Sequence, residues 1–403
     1  MSHRKNPNRS TLFLALLFAL VLLLAGCSSS PATVTAPQAP TPTTETRAYQ
    51  PTEDRLTSTP EARGTDSPVA PSSSTPTTEA NAYWPTEGWR TSSPEAQGID
   101  SQKLSEMLAA IKQQQLNLHS LLIIRNGYLV SENYFGSYQQ DTRHELYSCT
   151  KSFIATLIGI ALDKAYIDNT AHRIMDFFPE RTFANLDGQK AAMTLEDLLT
   201  MRSGLGWQEG DLAYQTMYVS SDWVKVVLDE PMAASPGSQF NYCSGCSHVL
   251  SAVLSQTTGM NPRDFAEQYL FEPLGITNAN WDTDAAGIPI GGWGLQMTPR
   301  DMAKLGYLYL HQGQWDGQQI VSAAWVENAT RTHTTTDNTL GYGYQWWTYP
   351  SLKAYTALGR GGQTIFVIPE KDLIIVTTAD MDNHDPIFQL IEQYIVPAVR
   401  ESQ

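Results

Sequence analysis

The stretch Glu145-Leu146-Tyr147-Ser148-Cys149-Thr150-Lys151-Ser152-Phe153 (ELYSCTKSF) sets a serine three positions before a lysine, at the head of a long apolar run. Phe153, Leu157, Ile160 and Ala161 then recur at helical spacing, so Ser148 sits at or near a helix N-terminus. Three residues is close to one turn, which projects Ser148 and Lys151 from the same helix face. The unpaired N–H groups at that end favour developing negative charge. A lysine turned toward a half-buried pocket loses hydration, which lowers its pKa and lets it act as a base. A serine needs such a base, because its hydroxyl is a poor nucleophile at neutral pH. The plain alternative is an N-cap serine followed by a solvated lysine. Against it, a cation in the first turn opposes the helix dipole, and the residues after it are among the most apolar in the chain. Spacing alone does not decide, since Ser2 and Lys5 in MSHRK repeat it where no enzyme chemistry is plausible.

The surrounding composition is that of a globular protein: 403 residues, 41% hydrophobic and 10% aromatic, with 17% charged. A net charge of −15, and no Lys/Arg cluster after the first ten residues, argue against a nucleic-acid partner. Residues 1–26 read as a signal peptide: a basic start, an apolar core from Leu12 to Leu24, and small residues at a cleavage position. Leu24-Ala25-Gly26-Cys27 resembles the bacterial lipobox, which implies cleavage before Cys27, lipidation of its thiol, and anchoring at the cell envelope. If Cys27 carries lipid, Cys149, Cys243 and Cys246 remain, and sequence leaves open whether Cys243 pairs with Cys246 or Cys149 with either. A zinc site on Cys243, Cys246 and His248 is the weaker alternative, since no fourth ligand stands at ribbon spacing.

Residues 27–82 are rich in Pro, Thr, Ser and Ala and read as an extended tether. Inside it, the stretch from Tyr49 to Ser67 is echoed from Tyr83 to Ser101, but only the second copy runs on into an amphipathic helix with Leu104, Met107, Leu108 and Ile111. A globular domain is therefore expected over 83–403. Two β-rich runs flank Asn126-Gly127, the dipeptide of a tight hairpin. A second pair, QTIFVIP and LIIVTTA, lies near the C-terminus and is followed by a helical pattern. Between them the chain reads mainly as helices and loops, including one opened by a Thr194/Asp197 capping box and closed at Gly204. The expected fold is mixed α/β (α+β): an antiparallel sheet from both chain ends, flanked by helices, with a helical subdomain inserted.

Further motifs follow the serine in order. Tyr242-Cys243-Ser244 lies after a Pro-Gly turn and before a helix, and Arg360-Gly361-Gly362 heads a strand. With SCTK these resemble the Ser-x-x-Lys, Tyr-x-Asn and Lys-Thr-Gly elements of the serine β-lactamase and penicillin-binding protein superfamily, most closely its class C-related branch. TLEDLLTMRSGL and GWGLQMTPRDMAKLGYLYLHQGQW add to the likeness, which spans roughly residues 88 to 398. The resemblance implies acyl transfer: Ser148 attacks, Lys151 and Tyr242 move its proton, and the backbone N–H of Ser148 with that of Gln363 or a neighbour holds the oxyanion. A phenol beside two cationic groups should ionise readily and shuttle that proton. Gly361 and Gly362 are expected to let a ligand approach the backbone. No metal or organic cofactor is required.

Two departures bear on substrate. Ser244 stands where the family has Asn and offers no amide to orient a carbonyl, while Arg360 replaces Lys with a fork suited to carboxylates. The cysteines in SCTK and YCS are more like the branch of 6-aminohexanoate-dimer hydrolase and related esterases and amidases. A linear amide or ester, with or without a carboxylate to meet Arg360, is then expected over a β-lactam. A D,D-peptidase or β-lactamase is the enzymatic alternative, and a non-catalytic binding domain the alternative of another class. Eight tryptophans lie between Trp207 and Trp347, most simply as core and subdomain packing. His144, His248 and His384 are discounted as triad members because no Gly-x-Ser-x-Gly elbow occurs. The oligomeric state is not legible.

Overall fold

The computed structural model describes residues 83–336 and 340–400. The expected signal peptide, the expected lipidation site Cys27 and the expected tether lie outside these residues. An eight-stranded antiparallel sheet forms the centre. Its strands are β1 (Leu118–Arg125), β2 (Tyr128–Tyr134), β3 (Thr334–Thr335), β4 (Gly341–Tyr342), β5 (Trp347–Tyr349), β6 (Ala354–Gly359), β7 (Gln363–Ile368) and β8 (Leu373–Ala379), in the order β2-β1-β8-β7-β6-β5-β4-β3. The first and last long hairpins thus meet through β1 and β8, paired from Leu118↔Ala379 to Arg125↔Leu373. The β1–β2 turn has the positive φ at both Asn126 (51°) and Gly127 (71°) that a primed hairpin turn demands.

Alternation along these strands divides the core in two. Leu122, Ile124, Ile365, Val367, Ile374 and Val376 face one hydrophobic cluster, while Leu121, Ile123, Phe366, Ile368, Leu373 and Ile375 face the other. The second cluster is covered by helix α1 (Ser101–Gln113) and the C-terminal helix from Asp385. The first is covered by α2 (Thr150–Asp163), which follows Ser148, and by the helical middle of the chain. That middle includes α3 (Leu195–Leu199), α4 (Ser244–Thr258) and α5 (Pro299–Leu310). The spacing of Phe153, Leu157, Ile160 and Ala161 suggested one buried face, but every residue of α2 from Thr150 to Ala161 is buried. The helix is packed on all sides, and Lys151 is buried with it.

The Thr194/Asp197 capping box forms. The helix stops at Leu199 rather than near Gly204, because the Thr200 hydroxyl bonds back to the Glu196 carbonyl and Met201 turns left-handed, with φ 57°. The second copy of the repeat is docked on the domain. Trp84 packs edge-on against Tyr307 and His311, Trp89 Nε1 donates to the Arg300 carbonyl at 3.0 Å, the Arg90 guanidinium lies 3.6 Å from the Tyr128 ring centroid, and Ile99 is fully buried. At the four matching positions the first copy has Gln50, Arg55, Leu56 and Thr65, so it lacks each of these anchors.

Candidate active site

Ser148 lies in a single 3₁₀ turn, Tyr147–Cys149, that leads directly into α2. Lys151, on the first turn of α2, is 1% exposed and points its ammonium nitrogen into a polar cluster. Nζ is 2.9 Å from Ser148 Oγ, 3.0 Å from Ser244 Oγ and 2.8 Å from the Gly292 carbonyl. Three partners match the capacity of an amine; in the neutral form, two N–H groups and one lone pair serve the same three positions. Burial pushes the Lys151 pKa down to about 7, while the nearby Glu209 carboxylate pulls it upward.

Tyr242 and Ser244 reach this cluster from the start of α4, whose N-cap is Cys243. The Tyr242 ring lies 4.8 Å from Lys151 Nζ and stacks on Trp347 at 5.9 Å, with Ser148 near enough to act on its phenol. Easy ionisation of this phenol, expected from the sequence, is not what the surroundings favour. Burial holds its pKa well above the ordinary range; the Ser148 contact lowers it only in part, and the Glu209 charge adds to the rise. Tyr242 is therefore a neutral phenol, able to donate and accept a proton in one step. Cys243 and Cys246 form a disulfide across the first turn of α4, and Cys149 is free and buried with its thiol 3.4 Å from the Gln363 carbonyl. Burial raises the Cys149 pKa, so it is a packing residue. His248 faces Asp284 at 3.0 Å in the core, and with both thiols of CSGC oxidised the zinc alternative falls away.

The Cys149 contact places the start of β7 against the turn that carries Ser148. Gln363 itself turns its side chain inward, donating from Nε2 to the Arg360 and Ala379 carbonyls at 2.9 and 2.8 Å. Gly361 and Gly362 also have a structural reason to be glycine. Their φ values are 83° and 99°, and a Cβ on Gly362 would come within 2.9 Å of Ile387 Cδ1, so backbone conformation and internal packing demand glycine there. Arg360 is exposed, close enough to Tyr214 to act on its phenol.

Two participants carry no motif and were missed. Glu209 Oε1 accepts from the Ser244 backbone N–H at 2.6 Å and from Trp207 Nε1 at 2.8 Å, bringing a carboxylate near Lys151 and Tyr242. Gly292 offers the carbonyl that Lys151 contacts, and a Cβ there would press on Ser244, 3.0 Å from its carbonyl. Both lie on loops, where only tertiary folding reveals the contact. The Trp207 indole is the one sign in composition, since a buried Trp N–H requires an acceptor.

The comparisons with known proteins agree with this architecture. A family model described as beta-lactamase matches residues 102–395. The 6-aminohexanoate-dimer hydrolase of Paenarthrobacter ureafaciens is 24% identical over 288 residues, covering 66% of this chain and 73% of that protein. Among solved structures, a family VIII carboxylesterase superposes with a TM-score of 0.62 at 17% identity, covering 73% of this chain and 96% of its own. A penicillin-binding protein homologue from Caulobacter crescentus gives 0.59 at 16%, covering 75% and 97%. The chain belongs to the beta-lactamase family, and it is a serine hydrolase of that family.

Proposed function

We propose that the protein hydrolyses linear amides or esters through an acyl-enzyme on Ser148, with Lys151 as base and Tyr242 as proton relay. The observation that carries this reading is the Lys151 amine, fully buried, 2.9 Å from Ser148 Oγ, and depressed to about 7. Near neutral pH a large fraction is unprotonated and accepts the Ser148 proton as Oγ bonds to the substrate carbonyl carbon. The Tyr242 phenol gives its proton to the leaving nitrogen or oxygen as the carbonyl–heteroatom bond breaks, and regains one from Lys151. Water then attacks the ester carbonyl and passes its proton to the same pair, which returns a proton to Ser148 Oγ as the acyl–oxygen bond breaks. Backbone N–H groups of Ser148 and of Gln363 or a neighbour are the candidate oxyanion donors.

The substrate class follows from Ser244, Arg360 and the names of the relatives. Ser244 spends its hydroxyl on Lys151 rather than on an amide-like contact to substrate, and Arg360 stands exposed for a carboxylate. A panel of p-nitrophenyl esters, the 6-aminohexanoate dimer and a chromogenic cephalosporin tests this. Turnover of esters or amides should far exceed that of the cephalosporin, with a preference for carboxylate-bearing substrates that Arg360→Gln removes; a better rate on the cephalosporin would overturn the assignment.

Glu209 supplies a test of the base. Its charge favours the ammonium form of Lys151, so Glu209→Gln lets the Lys151 pKa fall further. The acid limb of the kcat/KM profile should move to lower pH, raising activity at pH 6 relative to pH 8. An unmoved or upward-shifted limb would count against Lys151 as the titrating base.

A further inference from the structure

Glu145 stands three residues before Ser148, at the end of the two-residue strand His144–Glu145, which pairs with Leu295–Met297. One of its carboxylate oxygens, Oε1, accepts two backbone N–H groups: that of Tyr147 at 3.1 Å and that of Gly294 at 2.7 Å. These peptides belong to the two segments that meet at Lys151. Tyr147 immediately precedes the nucleophile, while Gly294 lies two residues after Gly292, whose carbonyl contacts Lys151 Nζ at 2.8 Å.

Both peptides are held in the left-handed region, with φ 46° at Tyr147 and 89° at Gly294. Glycine adopts that geometry freely, but an aromatic residue does so only where its surroundings compensate. Tyr147 is 36% exposed, so packing supplies only part of that compensation. The bond from its N–H to Glu145 adds to it, and the same oxygen binds the facing loop. Burial pushes the Glu145 carboxyl up, the two N–H donors push it back down, and the Asp282 charge adds to the rise.

We propose that Glu145 is a positioning residue for acyl transfer: one carboxylate oxygen ties the turn that presents Ser148 to the loop that presents the Gly292 carbonyl, and so sets the Ser148–Lys151 geometry. The inference rests on the acyl-enzyme reading above. It goes further in giving a role to a group that touches neither substrate nor Lys151. What Glu145 contributes is the place of an acceptor, rather than a charge or a proton.

Glu145→Ala, Glu145→Asp and Glu145→Gln separate these possibilities with p-nitrophenyl butyrate as substrate. Alanine deletes the acceptor, aspartate withdraws it by one methylene while keeping the charge, and glutamine keeps the acceptor in place while removing the charge. Misplacement of reacting groups by about 1 Å costs on the order of 100-fold. E145A and E145D should therefore lose roughly 10- to 100-fold in kcat with KM little changed, and E145Q should stay within about fivefold of the parent. Wild-type kcat in E145A and E145D would overturn the proposal. So would an E145Q as impaired as E145A, or a loss confined to KM. Failure of both E145A and E145D to fold, read by thermal melting, would overturn it too, by assigning the carboxylate to stability instead. Ser148→Ala measured in parallel keeps the two readings apart. An active S148A sinks the acyl-enzyme itself, whereas an inactive S148A beside wild-type-like Glu145 variants sinks only the positioning role.

Discussion

Ser148→Ala is expected to lower the kcat for p-nitrophenyl esters on the order of 10⁶-fold, the scale on which loss of the nucleophile acts in a serine hydrolase. The comparison that gives this result meaning is Ser244→Ala. Both hydroxyls lie near Lys151 Nζ, Ser148 at 2.9 Å and Ser244 at 3.0 Å, so contact with the base does not by itself identify the nucleophile. Exposure does. Ser148 is partly open, on the turn ahead of α2, whereas Ser244 is 4% exposed and its backbone N–H is bound to Glu209. Ser244→Ala removes one partner of the lysine and should cost about fivefold, the effect of one ordinary hydrogen bond of about 1 kcal/mol. Measured kcat values with both variants check the ordering.

Lys151→Met is expected to lose turnover by about 10⁴-fold or more, because the serine is left without a base and such groups act as a unit. Methionine keeps the length of the side chain, so the loss is assigned to the amine rather than to a cavity. Lys151→Arg should fare no better, since guanidinium stays protonated throughout the working pH range. The wild-type pH profile is the complementary measurement. Below about 7 the amine is protonated and offers no lone pair; above it, the base form dominates, so kcat/KM rises as pH climbs through that value. A profile flat from pH 5 to 9 would contradict the assignment.

The elements legible in the sequence are those fixed by local chemistry. Asn126-Gly127 dictates its hairpin through backbone conformation alone, and Thr194 with Asp197 caps a helix by contacts within four residues. The sheet built from both chain ends is legible from strand composition, and the grouping of Ser148, Lys151 and Tyr242 from ordered motifs. Features set by tertiary contacts were not. The all-round burial of α2 depends on what covers its polar-looking side, and the early end of α3 on a threonine bonding back to the helix. Glu209 lies 33 residues before Tyr242 on a loop, and nothing local to QEGD distinguishes it from a solvated acid. Tyr242 was misjudged electrostatically because proximity to Lys151 was visible while the depth of burial and the Glu209 charge were not. The left-handed Tyr147 was equally hidden, since a bulky residue gives no hint of positive φ.

The most direct test of the acyl-enzyme is to react the protein with a fluorophosphonate and map the adduct by tandem mass spectrometry at several pH values. One phosphonyl group is expected, on Ser148, formed at a rate that rises as pH passes through about 7, and absent from Ser148→Ala. An adduct on Ser244 or any other residue, or steady ester turnover by a protein that takes up no label, would contradict it.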